Sequence, residues 1–340
     1  MHTLPSELRF SREIKANHHG WPLLQLLSQN FSYHSSERWG ELIEDGCVLL
    51  NESVANAQSV VQKGDVLVYI AKNYSEPEVC TDFELIYRDN DFVVVGKSAD
   101  VPVHKTSSIF WNTFTAILRR ALQEPELVPL HRLDRDTSGI MLFARSRDSA
   151  KRFQKHLPQF MLRRVYLAVI ELANASQEDF WSQYAERELR IDAPLAERKD
   201  GEIRVQMQVD PQGKPCTTLF RWHGAQDFRP AGGAKRRVGV VEAELITGRK
   251  HQIRAHLAHL NTPILGDPIY SHGGKYYLQR IQAPLDDKDI AILGSKTQML
   301  HAWQLFLHLP AWSEPQWLKS RVCTAEMQKI ISAVDLKINT

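Results

Sequence analysis

The sequence predicts an α+β protein in which a mixed, largely antiparallel sheet flanked by helices follows a small α/β module. The chain has 340 residues, more than one average domain holds, so two domains are expected. Stretches with strand character outnumber helical ones, and the two kinds do not alternate regularly. The segment 71–78, AKNYSEPE, is polar and contains a proline, which indicates a linker between a domain of residues 1–80 and one of residues 81–340.

Two short helices and several short strands are predicted for the first domain. Residues 23–31 form an amphipathic pattern. Residues 36–45 are predicted to form a second helix, with Ser36 as its N-cap and Gly46 at its C-terminal end. Residues 47–70 are predicted to form short strands joined by turns.

The second domain is predicted to hold most of the sheet. Its predicted strands are residues 83–88, 92–97, 139–145, 163–171 and 238–247. Its predicted helices are residues 148–157 and 250–260. Asn261 and the nearby Pro263 end the second of these helices.

Composition excludes several classes of protein. Hydrophobic residues make up 43% of the chain and charged residues 24%, as in typical soluble domains with a sizeable core. No run approaches the roughly 18 apolar residues of a membrane span, and the N-terminus lacks the apolar stretch of a secretory signal. The four cysteines form no C-x-x-C pair, which argues against a zinc ribbon or a disulfide framework. We therefore expect a cytoplasmic protein.

The net charge of +2 is small, but it is unevenly distributed. Residues 1–80 contain 6 Lys/Arg against 10 Asp/Glu, a net of −4, whereas residues 101–170 contain 12 against 5, a net of +7. Residues 145–164 hold seven of these cations, among them Lys151, Arg152 and Lys155. A basic face on a nearly neutral protein is typical of nucleic-acid binding, although a solvated helix face would have the same composition.

The nine residues HRLDRDTSG (131–139) place a carboxylate between two arginines and end in a turn signal. In an extended segment, residues two apart share a face, so Arg132 and Asp134 would project together. Gly139 would allow the backbone to leave the turn with a positive φ. A surface salt bridge and a catalytic aspartate held ionised beside an anionic substrate both fit this segment.

A second candidate stretch is LITGRKHQIRAHLAHLNTPILGDPIY (245–270), which passes from a strand through a Thr-Gly turn into a basic helix. Arg249 and Lys250 are candidate phosphate contacts, and Lys250 and Arg254 would share a helix face because they are four apart. The histidines of this helix invite a metal hypothesis, but the stretch has no H-E-x-x-H pattern and no cysteine pair. We therefore expect no metal here.

The third candidate is the strand RRVYLAVI (163–170). Tyr166 lies two residues after Arg164 and on the same face. A tyrosine in this position can be an ordinary core residue. It can also stack on a base or donate a phenolic proton in a nucleic-acid pocket, with Arg164 as a cation for phosphate.

HRLDRDTSG, RRVYLAV, the stretch 245–270 and MLHAWQLFLHLP (299–310) occur in the order found in the RluA-type pseudouridine synthases. The chain resembles this family from about residue 82 to residue 325. Residues 23–70 resemble, more loosely, the small S4-type RNA-binding module that often precedes the catalytic domain. The resemblance implies the pseudouridine synthase fold.

The resemblance also implies roles for single residues. Asp134 matches the family's catalytic aspartate, and Tyr166 matches the tyrosine that packs on the target base. Arg254 matches the arginine that pairs with the aspartate. Arg132 matches a residue expected to fill the gap left when the target nucleotide leaves its stack.

The chain departs from the family pattern at several positions. Gly96-Lys97-Ser98 replaces the usual Asn-Lys-Pro and keeps only its lysine, and Arg164 stands where a lysine is usual. Glu171 and Ser271 stand where glycines are more usual. These differences concern loop shape and substrate choice rather than the proposed aspartate, tyrosine and arginine.

The implied reaction breaks the N-glycosidic bond of uridine, rotates the base and rejoins it to ribose through C5. No atom is gained or lost, so no cofactor is expected, and one ionised carboxylate can serve as the nucleophile at uracil C6 or at the ribose. The expected partner is structured RNA bound by a monomer. Ribosomal RNA is preferred to transfer RNA because relatives with an S4 module commonly modify it.

Two alternative functions stay open at the level of sequence. A non-catalytic RNA-binding or chaperone protein would account for the S4-like module and the basic face. A hydrolase acting on a glycosidic bond could use Asp134 and Asp136 as a carboxylate pair, since such enzymes place two carboxyls about 5–9.5 Å apart.

Overall fold

The computed structural model describes residues 7–31, 33–72, 75–106, 109–334 and 336. The chain divides into two compact units, of which the first comprises Met1–Glu78 and Lys105–Trp111 and the second comprises Val79–His104 and Asn112–Thr340. One boundary is predicted near residue 80, and the sequence does not predict that the segment 105–111 belongs to the first unit. That segment belongs there because the Phe110 ring packs 4.7 Å from the Phe10 ring and the backbone N–H of Phe110 donates to Glu76.

The first unit is an antiparallel sheet with two helices. Its strands are β1 (Glu7–Glu13), β2 (Val48–Leu50), β3 (Ser53–Val54) and β4 (Val66–Lys72), and its helices are α1 (Leu23–Asn30) and α2 (Ser36–Glu44). The strand order is β1-β4-β2-β3. The two predicted helices are confirmed, but β1 was not predicted.

The N-cap of α2 was assigned wrongly. Ser35, rather than Ser36, has the extended backbone of a cap, and its hydroxyl accepts the N–H of Arg38 at 3.2 Å. Two adjacent serines offer the same cap chemistry, and only the backbone conformation decides between them.

Strands and helices of the second unit follow each other irregularly along the chain. The strands are β5 (Phe83–Arg88), β6 (Phe92–Lys97), β7 (Val128–Pro129), β8 (Ser138–Ala144), β9 (Met161–Leu172), β10 (Leu189–Asp192), β11 (Leu195–Glu197), β12 (Met207–Val209), β13 (Thr217–Phe228), β14 (Arg236–Leu245), β15 (Leu300–Leu307) and β16 (Gln316–Lys319). The helices are α3 (Phe114–Ala121), α4 (Arg147–Gln154), α5 (Leu157–Phe160), α6 (Ala175–Ser182), α7 (Gln252–His259), α8 (Lys275–Gln282), α9 (Asp287–Leu293) and α10 (Ala325–Ser332).

Ten of these strands form one sheet. Its main path is β10-β13-β14-β9-β15-β8-β6-β5, with β16 paired to β15 and β7 paired to β8. The pair of β8 and β15 is parallel, and the other described pairs of this sheet are antiparallel. The predicted α+β class with a mixed, largely antiparallel sheet is therefore confirmed. Every residue of β6 and β8 is buried, which places the core around the middle of the sheet.

Gly139 is required where β8 begins beside β15. Its φ is +115°, a value that side-chain-bearing residues rarely adopt. A Cβ at this position would lie 2.1 Å from the carbonyl oxygen of Ala302, its partner in the parallel register. The predicted positive φ is confirmed. The close approach to β15 is a second reason for the glycine, and it depends on a strand more than 150 residues away.

Among the described residues, no helix has both the length and the apolar character that crossing a membrane requires.

Candidate active site

The loop that carries the HRLD motif places Asp134 at the boundary between core and solvent. Leu133 is buried in the core of the second unit, whereas Arg132 is exposed and the Asp134 side chain keeps 33% of its surface accessible. The loop then turns, because the N–H of Thr137 donates to the carbonyl of Asp134 at 3.2 Å. The observed burial alternates as the sequence predicted.

Arg254 joins Asp134 to a second, deeply buried carboxylate. Its Nη1 donates to Oδ2 of Asp134 at 2.7 Å, while Nε and Nη2 donate to the two oxygens of Asp267 at 2.6 and 2.8 Å. The exposed fraction is 4% for the Arg254 side chain and 0% for that of Asp267. The forked pair with Asp267 fixes the plane of the guanidinium, so the remaining N–H group is held toward Asp134. The predicted contact between Asp134 and Arg254 is confirmed.

Asp267 and Tyr270 also contact Arg254, and neither is among the site residues predicted from the sequence. Oδ1 of Asp267 also accepts the backbone N–H groups of Ile269 and Tyr270 at 2.9 and 3.1 Å. The Tyr270 ring lies 5.1 Å from the guanidinium carbon, close enough for a cation–π contact. The sequence does contain a signal for Asp267, because it is the single carboxylate in the otherwise apolar stretch TPILGDPIY. A carboxylate buried with such a stretch requires a buried cation as its partner.

The electrostatics of this chain keep both carboxylate and guanidinium charged. Burial acts to raise the pKa of Asp134, but the charge of Arg254 and the hydrogen bonds from Arg254 and Gln298 outweigh it, helped at low pH by His251 once that ring is protonated, so this pKa lies below its usual value. Burial acts to lower the pKa of Arg254, but Asp267 and Asp134 raise it above its usual value. Asp134 is therefore an ionised, partly accessible carboxylate at neutral pH.

Tyr166 lies on β9, opposite Ala302 of β15, and is buried. Burial is the largest cause that raises the pKa of Tyr166 to about 12, with Arg164 opposing this and the charge of Asp134 adding to it. Tyr166 therefore remains a protonated phenol at neutral pH, and it is close enough to Asp134 to interact with its charge. The structure thus joins Asp134 and Arg254 directly and leaves Tyr166 within range of the Asp134 charge.

Lys97 binds backbone carbonyls in and near the HRLD loop. Its side chain is fully buried, and Nζ donates to the carbonyls of Ser98, Val101 and Arg135 at 2.8, 2.9 and 3.0 Å. Burial lowers the pKa of Lys97 to about 7. The three carbonyls match the three donors of an ammonium group, so Lys97 anchors the backbone one residue after Asp134.

Asp136 does not pair with Asp134. Its side chain is buried, and Oδ2 accepts from Nη1 of Arg280 on α8 at 2.8 Å. The second carboxylate of the motif is thus engaged in a structural ion pair, which disfavours the carboxylate-pair hydrolase.

The predicted RNA-binding residues fall into two groups. Those on and after α4 are exposed: Lys151 by 79% and Arg152 by 61%, with acidic neighbours Asp148 and Asp91 at 3.5 and 2.6 Å. Lys155, at the C-cap of α4, is exposed as well.

Arg164 and Arg249 donate to backbone carbonyls. Nη2 of Arg164 donates to the carbonyl of Leu245 at 3.2 Å. Nε of Arg249 donates to the carbonyl of Pro215 at 3.2 Å.

The predicted helical face shared by Lys250 and Arg254 is wrong. Helix α7 begins at Gln252, and the residue before it, His251, has a φ of +53° that interrupts the helical pattern. Lys250 therefore lies outside the helix and pairs with Glu197 at 3.3 Å, while Arg254 faces the two aspartates. The i,i+4 spacing was read across a backbone break that sequence alone does not reveal.

His256 of α7 is engaged by protein groups. Nδ1 of His256 lies 2.9 Å from the Thr218 hydroxyl, and Nε2 lies 3.0 Å from the carbonyl of Ala193. Among the described residues, no group of three or more His, Cys, Asp and Glu side chains is placed to hold a metal ion.

Comparison with known proteins identifies the family. Residues 91–259 match the model of the RNA pseudouridylate synthase family. The ribosomal large subunit pseudouridine synthase D of Xanthomonas campestris is 30% identical over 320 residues, which cover 91% of this chain and 87% of that protein. The chain belongs to the RluA-type RNA pseudouridine synthases.

Other similarities agree with this assignment. The pseudouridylate synthase RPUSD2 of Mus musculus is 31% identical over 78% of this chain, and this match spans only 45% of the mouse protein, about half its length. The solved structure of human RNA pseudouridylate synthase domain containing 4 superposes with a TM-score of 0.50 at 23% identity and covers 74% of this chain and 94% of that one. The latter shows a common fold.

Proposed function

We propose that this synthase isomerises selected uridines of structured RNA to pseudouridine, with Asp134 as the nucleophile. The C1′–N1 bond breaks, a C1′–C5 bond forms, C5 loses a proton and N1 gains one, so the product has the same atoms as the substrate. The reaction needs no cofactor. One observation carries the proposal: a partly exposed carboxylate is held ionised by a buried arginine, which is itself clamped by Asp267.

The geometry fits a single nucleophilic carboxylate. Asp134, Arg254 and Asp267 together carry a net charge of −1, so Asp134 remains an anion although it is paired. The clamp on Arg254 holds Asp134 in a fixed direction, which limits the reorganisation needed when a substrate arrives. Tyr166 is proposed to pack on the target base, since it is a protonated aromatic side chain within range of the Asp134 charge.

The proposed RNA surface combines exposed and partly engaged cations. Its members are Arg132, Lys151, Arg152, Lys155, Arg164, Arg249 and Lys250. A uridine inside a helix must be extruded before it can react, at a cost of a few kcal/mol. Arg132 is exposed two residues before Asp134, and it is proposed to occupy the space that the base leaves.

Ribosomal RNA is proposed as the first target, before transfer RNA. The supporting observation is that the Xanthomonas relative, matched over most of both chains, is named for the large ribosomal subunit. Pseudouridine maps of both RNA classes from wild-type and gene-deleted cells test this choice. A missing site in transfer RNA alone would reverse it.

We also propose that the first unit is an S4-like module with a minor share in RNA binding. Its four-stranded sheet and two helices suit such a module, but its net charge is negative, so only a few local cations such as Arg38 and Lys63 can meet phosphate. Replacing both with Gln in the full-length chain should weaken binding of natural RNA by less than about tenfold, or 1.4 kcal/mol. A hundredfold loss would make this unit a principal anchor.

The activity is tested by incubating the protein with RNA labelled in its uridines and separating the nucleosides. Pseudouridine is the expected product. Free uracil would indicate a glycosidic hydrolase, and unchanged uridine with retained binding would indicate a non-catalytic RNA-binding protein.

A further inference from the structure

His251 has a backbone conformation that is rare for a residue with a side chain. Its φ of +53° and ψ of 20° are left-handed, and it stands immediately before the first residue of α7. Non-glycine residues in this region are uncommon and carry local strain, which often accompanies functional sites. The conformation turns the imidazole inward, where its side chain is only 10% exposed.

The contacts of His251 favour one position for the ring proton. Nδ1 lies 3.1 Å from the hydroxyl oxygen of Tyr270. The same oxygen accepts the backbone N–H of Met207 at 2.8 Å. Since that N–H occupies one of the two lone pairs of the hydroxyl, the arrangement that we infer is one in which the hydroxyl donates its own proton to Nδ1. Nδ1 is then the acceptor, and the proton of a neutral imidazole resides on Nε2.

Nε2 of His251 faces the oxygen of Asp134 that Arg254 also contacts. The distance from Nε2 to Oδ2 is 3.8 Å, longer than a hydrogen bond and short enough for a small side-chain adjustment to close it. Hydrogen bonds of catalytic groups are often long before substrate binds. Oδ2 is therefore approached by the Arg254 guanidinium and by an imidazole N–H.

Burial, more than the nearby charges, keeps the His251 ring neutral. Burial is the main cause that lowers the pKa of His251 to about 4, and Arg254 lowers it further, as does Lys250. Asp134 and Asp267 oppose them but do not outweigh them. An imidazolium would place a second positive charge beside Asp134 and reduce its basicity as a nucleophile, whereas a neutral N–H can orient the carboxylate without this penalty.

We propose that His251 is a positioning residue that links Tyr270 to Asp134. Its Nδ1 accepts a hydrogen bond from the Tyr270 hydroxyl, and its Nε2–H is directed toward Oδ2 of the nucleophile. This inference rests on the proposed function of Asp134. Together with Arg254 it orients one carboxylate oxygen as substrate binds, so His251 acts on turnover and hardly on RNA affinity.

Two substitutions of His251 distinguish the contribution of Nδ1 from that of Nε2. His251→Asn tolerates the left-handed backbone and keeps an amide near the position of Nδ1, but it has no donor at the position of Nε2. His251→Gln reaches that position with an amide N–H. The Asn variant should lower kcat about ten- to a hundredfold, the range for a hydrogen bond to a charged group. KM and the Kd for RNA should stay within about threefold, and the Gln variant should recover most of kcat.

Nitrogen NMR of 15N-histidine-labelled protein tests the protonation state without any assay of activity. The signals of His251 are assigned by their loss in the Asn variant. They should show a neutral Nε2–H tautomer from pH 8 down to pH 5. Tyr270→Phe keeps the ring over Arg254 but removes the hydroxyl, so the same measurement should then show a mixture of tautomers. An imidazolium at pH 7, or an Nδ1–H tautomer in the wild type, would overturn the proposal.

The inference and the proposed function can fail separately. If the wild type forms pseudouridine, Asp134→Asn does not, and His251→Asn turns over at the wild-type rate, only the role of His251 is wrong. A loss in His251→Asn that appears in KM with kcat intact overturns that role too. If the wild type forms no pseudouridine, the proposed function fails, and the tautomer measurement still decides the geometry around His251.

Discussion

Two basic segments that look alike in sequence have opposite structural settings. Lys151 and Arg152 on α4 are 79% and 61% exposed, and one acidic side chain lies near each. Arg254 on α7 is 4% exposed and bridges two carboxylates. The segment with more cations lies on the surface, and Arg254, which is buried, makes the contacts that define the site.

The difference between the two segments shows how burial changes what a charge does. Exposed ion pairs contribute about 0–1 kcal/mol because water screens them and the side chains lose entropy. Removing one member of a buried pair costs about 3–5 kcal/mol because the other charge is left without a partner. Cations on α4 can therefore exchange their protein partners for phosphate, whereas Arg254 is committed to Asp134 and Asp267.

Asp134→Asn should give the largest effect on activity. The amide cannot act as the nucleophile, so pseudouridine formation should fall by at least about a thousandfold, while the Kd for RNA changes only a few fold. Nucleoside analysis and a binding titration measure the two quantities. Asp148→Asn on α4, an exposed aspartate also near a cation, is the matched control and should keep wild-type turnover. Near-normal product formation by Asp134→Asn would refute the mechanism.

Arg254→Ala should destabilise the protein more than any exposed arginine does. The change leaves Asp267 buried without its cation, so the free energy of unfolding should fall by about 3–5 kcal/mol. Denaturant unfolding of the variant and of Arg152→Ala makes the comparison, with a loss of less than about 1 kcal/mol expected for the latter. Equal losses in the two variants would remove the distinction between the two segments.

Lys97→Met tests a second buried basic side chain. Three carbonyls would lose their donor, including that of Arg135 beside the nucleophile, so a loss of about 3 kcal/mol in the free energy of unfolding is expected. Turnover should fall as well, because the loop at Asp134 loses its anchor. Lys199→Met, at an exposed position, is the control and should change neither quantity. An unchanged unfolding curve for Lys97→Met would mean that these carbonyls are satisfied by other groups.

The pH dependence of kcat should reveal how the charge of Arg254 lowers the pKa of Asp134. The pKa of Asp134 is lowered in the folded protein, so activity that needs the carboxylate is present above that pKa and is lost only as the pH falls through it. In Arg254→Gln, burial is no longer outweighed by the nearby cation, and the acidic limb should move to higher pH. A pH–rate profile of wild type and variant measures the shift. A limb that stays in place would assign it to another group.

Neutralising α4 should have the smallest effect, and it should appear in binding alone. Changing Lys151, Arg152 and Lys155 to Gln should weaken RNA binding a few fold. For every phosphate that these side chains no longer neutralise, the slope of log K against log salt concentration should become shallower by about 0.7 to 0.9. Lys235→Gln, which removes an exposed cation paired with Asp227, is the control. An unchanged slope would make α4 an ordinary solvated helix.

Much of the fold follows from local patterns in the chain. The alternation and apolar runs of FELIYR, FVVVGK and GIMLFAR predicted three strands that form at nearly the same bounds, because such residues bury one or both faces of a sheet. The sequence also predicted the contact between Asp134 and Arg254 through the family resemblance. It missed β1, the short strands β10 to β12 and helices such as α6, whose periodicity is too brief or too polar to stand out, and it also missed the longer strands β13 and β15.

The sequence by itself determined the fold class, the family and the carboxylate on which the chemistry is proposed to depend. These follow from hydrophobic period and from motifs, which are local properties of the chain. The tertiary structure alone decided which charges are buried. It brought Asp267 to Arg254, Tyr270 to His251 and Arg280 to Asp136, and it ended the helical face at His251. Burial and pairing depend on which distant segments pack together, and that packing sets both the pKa of a charged group and its partner.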